Sequence, residues 1–177
     1  MSPEGFESER EQELERLYDA HADALYAFGL SLTRNESDTR DLMQDVFVRL
    51  ARQPRLLHGI RDERGFLLRW MHNAAVDLFR RRQSRLARTE PLGDEPPPVF
   101  APAEDPDEEA FRAAVAEALE TLPPEQRVVV HLKLWEGRTF DAIGELLDIP
   151  LNTAASRFRY GLDKLRGRLR PLYEELR

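Results

Sequence analysis

The sequence predicts an all-α protein of two small helical domains joined by a proline-rich acidic linker. Three observations carry that expectation. Apolar residues recur at helical spacing through both halves, and the one β-branched run, VVVHLKLW at 128–135, lies inside a helical pattern. Between the halves, residues 89–110 have almost no apolar periodicity and six of their residues up to 106 are proline. Such a segment buries too little surface to offset its ordering entropy. The predicted organisation is a tail at 1–11, a domain at 12–88, a flexible linker at 89–110, a second domain at 111–170 and a tail at 171–177.

The elements follow in order. Leu14, Leu17, Tyr18, His21, Leu25, Phe28 and Leu32 predict a first helix near 8–33, and Asn35-Glu36-Ser37-Asp38 supplies residues that stop it and cap the next. Leu42, Met43, Val46, Phe47 and Leu50 form a second stripe ending at Pro54. A third comprises Phe66, Leu67, Trp70, Ala74 and Val76 to Leu78, and runs out into arginines. Pro54 to Gly65 is expected to be a loop. Beyond the linker, Phe111, Val115, Leu119 and Leu122 make one helix, and Pro123-Pro124 opens another that reaches about Trp135 and closes at Gly137. Thr139 is a candidate N-cap for a short helix carrying Phe140, Ile143, Leu146 and Leu147, although Ala142 stands where a capping box needs Glu. Asp148-Ile149-Pro150 then turns the chain into a last helix from about Leu151.

Charge narrows the function. The chain of 177 residues carries a net −7, yet residues 1–88 are balanced and 111–177 nearly so. The whole deficit sits in 89–110, which has eight acidic residues and no basic one. Two basic clusters flank it, Arg80 to Arg88 and Arg157 to Arg170. The absence of cysteine excludes disulfides, thiolate metal sites and cysteine nucleophiles. The opening MSPEGFESEREQELERLYDA lacks a basic-then-apolar leader, and no stretch approaches the ~18 apolar residues of a membrane span. A cytoplasmic protein without membrane insertion is expected.

The span 139–170 is the most informative. A short helix, a tight turn and a longer helix make a helix-turn-helix, whose second helix enters the major groove. Leu151, Ala154, Phe158, Leu162, Leu165 and Leu169 form its inward stripe, while Asn152, Ser156, Arg159, Tyr160 and Arg166 lie largely opposite. Small polar residues near the helix start suit phosphates and base edges, with arginines neutralising the backbone. An ordinary helical hairpin with a solvated basic face has the same pattern. Arg80 to Arg88 likewise fit either single-strand tracking or a helix end favoured by its dipole.

The residues DLMQDVF at 41–47 and FLLRWMHNAAVDLFRRR at 66–82 resemble domain 2 of the extracytoplasmic-function (ECF) sigma factors of the sigma-70 superfamily. Residues 121–170 resemble domain 4 of the same family. The resemblance covers about 12–88 and 110–170, in the family's order. It implies a bacterial transcription-initiation subunit, not an enzyme, that needs no cofactor or metal and directs core RNA polymerase to specific promoters. By position it implies that Asp41, Leu42, Gln44 and Asp45 face the polymerase β′ clamp helices, with domain 4 on the β flap. Dipole complementation in a first turn explains Asp41 and Asp45 equally well. His58, Arg61 and Arg64 match the loop that captures a flipped −10 base, and Arg69, His72 and Asn73 the helix along the melted strand. Arg80, Arg81 and Arg82 would hold upstream phosphates, and Asn152, Thr153, Ser156, Arg157, Arg159 and Tyr160 would read the −35 element, Arg157 alternatively being structural. Ala155 and His72 depart from the basic residues common in the family. An anti-sigma partner is also implied. The linker acids Asp94, Glu95 and Glu104 to Glu109 suit either nucleic-acid mimicry in a basic channel or a solvated spacer.

Other classes fit less of the chain. His21, His58, His72 and His131 are scattered, with no HExxH, phosphate loop or serine elbow to suggest an enzyme. A stand-alone duplex-binding regulator explains 139–170 but not the DLMQDVF helix or the arginine-rich loop. A protein-only adaptor uses neither basic cluster.

Overall fold

The computed structural model describes residues 3–53, 56, 59–86 and 106–175, with side chains described within 11–53, 56, 59–83 and 110–171. These residues form seven helices and no strand, divided between two compact units.

Unit 1 is a bundle of α1 (Pro3–Thr33), α2 (Glu36–Arg52) and α3 (Glu63–Leu86), each packed on the other two. Leu17, Leu25 and Phe28 of α1, Leu50 of α2, and Leu67, Leu68 and Met71 of α3 are fully buried. The α1–α2 corner has a side-chain solution. Arg34 takes the left-handed conformation (φ 55°), and Asn35 Oδ1 accepts from the Asp38 N–H at 2.8 Å as N-cap of α2. Thr33 and Thr39 share a hydroxyl contact at 2.8 Å, and the Thr39 hydroxyl donates to the Asn35 carbonyl at 2.8 Å. Gly29 lets α1 approach so closely that a Cβ there would lie 2.6 Å from Thr39 Cγ2 and 2.9 Å from Met71 Cε.

Unit 2 is built around α7 (Leu151–Glu175), which packs on α4 (Pro106–Glu120), α5 (Pro124–Leu134) and α6 (Phe140–Leu147). Ala118, Leu119, Leu122, Val130 and Leu165 make one buried cluster, with Val115, Phe158 and Leu169 against it. The β-branched run is helical because its three valines, 128–130, are all buried by packing, which overrides their modest propensity. The buried Arg127 donates to the Leu122 carbonyl at 3.3 Å, tying the α4–α5 turn.

Several boundaries differ from expectation. Helix α1 begins at Pro3, within the segment read as a tail, where Glu, Gln and Arg are good helix formers. Helix α3 begins at Glu63, because Asp62 Oδ1 accepts from the Gly65 N–H at 2.8 Å and starts the helix; Arg64 is therefore helical, not in the loop. Helix α4 begins at Pro106, inside the expected linker, with proline and three acids suiting a first turn. Leu122 lies just past the end of α4 yet is buried. Helix α7 continues through Pro171 to Glu175, since proline there removes one hydrogen bond at an exposed point of the helix. Residues 89–105 of the linker lie outside the described residues.

Candidate nucleic-acid interface

The turn between α6 and α7 is where unit 2 acquires a reading head. Thr139 Oγ1 accepts from the Ala142 N–H at 3.2 Å, so the cap of α6 forms without the reciprocal glutamate. Asp148 adopts the left-handed conformation (φ 56°), tolerable for Asp, and the Ile149 N–H donates to the Gly144 carbonyl at 2.9 Å. The chain folds back so tightly that a Cβ on Gly144 would stand 2.8 Å from the Ile149 carbonyl oxygen. The Pro150 carbonyl then accepts from the Thr153 and Ala154 N–H groups at 2.9 and 3.1 Å, starting α7. Phe140 and Phe158, with ring centroids 5.5 Å apart, clamp the two helices together.

That clamp decides which side of α7 is presented. Ala154 is fully buried and Phe158 partly so, leaving Asn152, Arg159 and Tyr160 exposed and Thr153, Ser156 and Arg157 half-buried. Arg159 lies over the Tyr160 ring at 5.2 Å, a cation–π contact that preorganises both. The Ser156 hydroxyl donates back to the Thr153 carbonyl at 3.0 Å. The six expected residues thus share the first three turns of one helix. Leu151 does not join the inward stripe: it is 45% exposed, with its backbone, not its side chain, set close to Gly144 of α6.

In unit 1 a groove runs between α2 and α3. Its α2 wall carries Asp38, Asp41, Asp45 and Arg49, and its α3 wall Trp70, Asn73, Asp77 and Arg81. Helical spacing explains both walls, since residues three and four apart share a face. Arg49 stacks over Trp70 at 5.1 Å and Trp70 in turn meets Phe66, with ring centroids 4.9 Å apart. Arg49 and Trp70 are not among the sequence-derived site residues, although the i, i+4 row Asp41-Asp45-Arg49 is a signal that points to the first of them. The structure brings Asp41, Asp45, Asn73 and Arg81 together. Leu42 is 4% exposed and belongs to the core, while Gln44 is exposed outside the groove lining.

The remaining candidates divide. Arg61, Arg69, Arg80 and Arg81 are exposed and Arg64 is half-buried. His72 is also half-buried; burial pulls its pKa below the usual histidine value, against a smaller raising effect of the Asn73 side chain, and so disfavours the charged ring. Arg82 forms an ion pair and hydrogen bond with Asp38 across the bundle. His58 lies outside the described residues. At the other end of α3, the Glu63 carboxylate accepts from Arg16 at 2.7 and 3.2 Å, with His21 Nε2 at 3.7 Å; the Arg16 hydrogen bonds hold the Glu63 carboxyl below its ordinary range. Among the described residues no group of three or more His, Asp or Glu side chains could hold a metal ion, and no helix is long and apolar enough to cross a membrane.

A helix-turn-helix with a polar, cationic reading face, in one chain with a charged three-helix bundle, is the architecture of a helical DNA-binding protein. The family models for sigma-70 region 2 and sigma-70 region 4 match residues 17–85 and 118–167. The RNA polymerase sigma-E factor of Streptomyces antibioticus is 32% identical over 161 residues, covering 89% of this chain and 84% of that protein. The ECF RNA polymerase sigma factor SigE of Mycolicibacterium smegmatis is 34% identical over 160 residues, 82% of this chain but 57% of that longer protein. SigX of Bacillus subtilis, also an ECF sigma factor, is 26% identical over 171 residues, 94% and 88% of the two chains. The chain belongs to the ECF sigma factors of the sigma-70 superfamily, proteins of promoter-directed transcription initiation. The sigma factor RpoE of Bartonella quintana, solved in complex with the anti-sigma factor NepR, shares the fold with a TM-score of 0.72 at 21% identity, covering 90% of this chain and 96% of that one.

Proposed function

We propose that this chain binds core RNA polymerase through unit 1, selects promoters with both units, and holds unstacked bases of one strand as the duplex opens. The observation that carries this reading is the pairing, in one chain, of a cationic helix-turn-helix face with the α2–α3 groove. A regulator acting alone on duplex DNA uses only the first.

The roles follow the geometry. Asn152, Arg159 and Tyr160, with the half-buried Thr153, Ser156 and Arg157 beside them, read the −35 element in the major groove. Asn73 and Arg69, exposed on α3, line the melted −10 strand, with Arg61 and Arg64 before them and His58 in the adjoining segment. Arg80 and Arg81 neutralise backbone phosphates upstream. Asp41 and Asp45 meet the β′ clamp helices, with Gln44 on the same helix and Leu42 supporting it from the core; unit 2 meets the β flap. The work is recognition without catalysis by this chain, carried out in the bacterial cytoplasm. An anti-sigma protein covering the polymerase-facing surface is the proposed regulator, as the Bartonella quintana neighbour was solved with one. The acids of the linker act against a basic channel of the polymerase, so charge-neutralised linker variants are expected to initiate or escape less efficiently on the same promoter.

Run-off transcription with bacterial core polymerase, with and without the chain, on upstream regions of its own genome tests the reading. Initiation that requires the chain and selects particular promoters is expected. Arg159→Ala should then weaken −35 recognition by about 1–3 kcal/mol, and Asn73→Ala should slow opening while sparing duplex binding. No association with core and no transcript from a folded protein that binds duplex DNA alone would give the function to a stand-alone regulator.

A further inference from the structure

Three arginines follow one another near the end of α3, and the third of them faces a carboxylate of α2 that is nearly buried. Arg82 reaches across to α2 and gives its guanidinium Nη2 to Asp38 Oδ1. The Asp38 side chain is only 9% exposed, whereas that of Arg82 is 48% exposed. Asp38 sits in the first turn of α2, its own N–H taken by the Asn35 cap, and its Oδ2 is buried without a hydrogen bond to any described group. Arg82 is therefore the counter-charge of a carboxylate almost removed from water.

This asymmetry sets the outcome of a competition with DNA. A phosphate that drew Arg82 away would leave the Asp38 charge buried and uncompensated, which is strongly unfavourable. The ion pair formed with that phosphate would be solvent-exposed and screened, and so weaker. We propose that Asp38 is an intramolecular substitute for a DNA phosphate: it holds Arg82 so that the charge of Arg82 is withheld from the promoter backbone, which the end of α3 meets with its exposed neighbour Arg81. Asp38 is thus a positioning residue that sets the number of phosphates neutralised. The inference rests on the reading of this cluster as phosphate-binding.

The test is the salt dependence of promoter binding by holoenzyme, reconstituted from core polymerase and full-length chain, on a promoter the chain selects. Each phosphate neutralised contributes about 0.9 to the slope of log K against log salt. Asp38→Asn is expected to steepen the slope by about 0.9, and the double variant Asp38→Asn with Arg82→Gln to return it to the parent value. Arg81→Gln should flatten the parent slope by about 0.9, and Arg82→Gln by less than about a third of that. A purely structural Asp38–Arg82 strut would not make the slope of Asp38→Asn depend on Arg82. An unchanged slope in Asp38→Asn, or a steeper one that persists in the double variant, overturns the proposal. Should Asp38→Asn fail to fold, Arg82→Gln decides, because flattening equal to that of Arg81→Gln means Arg82 already binds a phosphate. If Arg80→Gln and Arg81→Gln both leave the slope unchanged, the phosphate-binding reading of the cluster fails and the proposal falls with it.

Discussion

Unit 1 and unit 2 are both small helical bundles, but they are fastened by different means. Unit 1 is joined across its helices by ion pairs, Arg16 with Glu63 and Arg82 with Asp38, and opened at its corners by side-chain caps from Asn35 and Asp62. Unit 2 has a side-chain cap from Thr139 and a tie from the buried Arg127 to the Leu122 carbonyl, and adds close helix approaches at Gly144 and Gly161 around its apolar cluster. An ion pair of unit 2, Arg166 with Asp163 at 3.7 Å, lies within one helix and is exposed on both sides. The difference teaches how charge can be allocated. Unit 2 presents a row of cations on α7 and directs Arg127 and Lys133 to backbone carbonyls, while unit 1 sets part of its charge against buried or half-buried carboxylates and shapes the groove with the rest.

That contrast can be broken most forcefully in the cores. Phe28→Ala removes a fully buried ring of α1 and should cost unit 1 about 3–5 kcal/mol in urea denaturation, leaving the unfolding of unit 2 in place. Gly144→Ala should cost unit 2 about 1–3 kcal/mol and weaken duplex binding, since the added carbon meets the Ile149 backbone and not a side chain that can swing aside. Asn35→Ala, which removes the α2 cap, should cost about 1 kcal/mol of unit 1 stability, with Asn35→Asp restoring most of it.

Acid sharpens the comparison at the smaller end of the scale. His72 has a folded pKa below its unfolded value near 6.5, so protonation favours the unfolded chain. Stability should be full above about pH 6.5 and decline as pH falls through the lowered folded value, and His72→Asn should remove that decline. Glu63 acts in a lower window. Its lowered pKa adds stability that is present above the ordinary carboxylate pKa and lost as pH falls through the folded one; solvent screening of the exposed Arg16 pair makes this the smallest effect of the set. Thermal melts of Glu63→Gln from pH 7 to pH 3 check it.

Much of the fold was legible because apolar spacing alone orders the helices. Leu17, Leu25 and Phe28 declare the inner face of α1, and Ala154 and Phe158 that of α7. The boundaries were less legible, for physical reasons. Pro106 and Pro171 read as breaks, but one occupies a first turn and the other an exposed turn of α7, where a lost hydrogen bond is tolerated. The site divided along the same line. The reading face of α7 could be found because it is a property of one helix. The capture of Arg82 by Asp38, 44 residues apart, and the stacking of Arg49 on Trp70 are products of packing between helices, which periodicity does not encode. The half-burial of His72, which lowers its pKa, is likewise a product of packing and not of its place in the helical pattern.

Helix α7 spans 25 residues, about 37 Å, and Gly161 marks where it crosses α5, with a Cβ there expected 2.8 Å from Val130 Cγ2. The reading residues all lie on one side of that crossing. About 15 Å of helix separates Gly161 from Leu151, and Phe140 against Phe158 fastens that arm to α6, so a tilt of about 5° at the crossing carries α6 with it and moves the tip by about 1.3 Å. That displacement is enough to detune a bidentate contact with a base edge. Substitutions at Val130 or Gly161 are therefore expected to alter the proposed −35 recognition from the crossing, without touching the reading face.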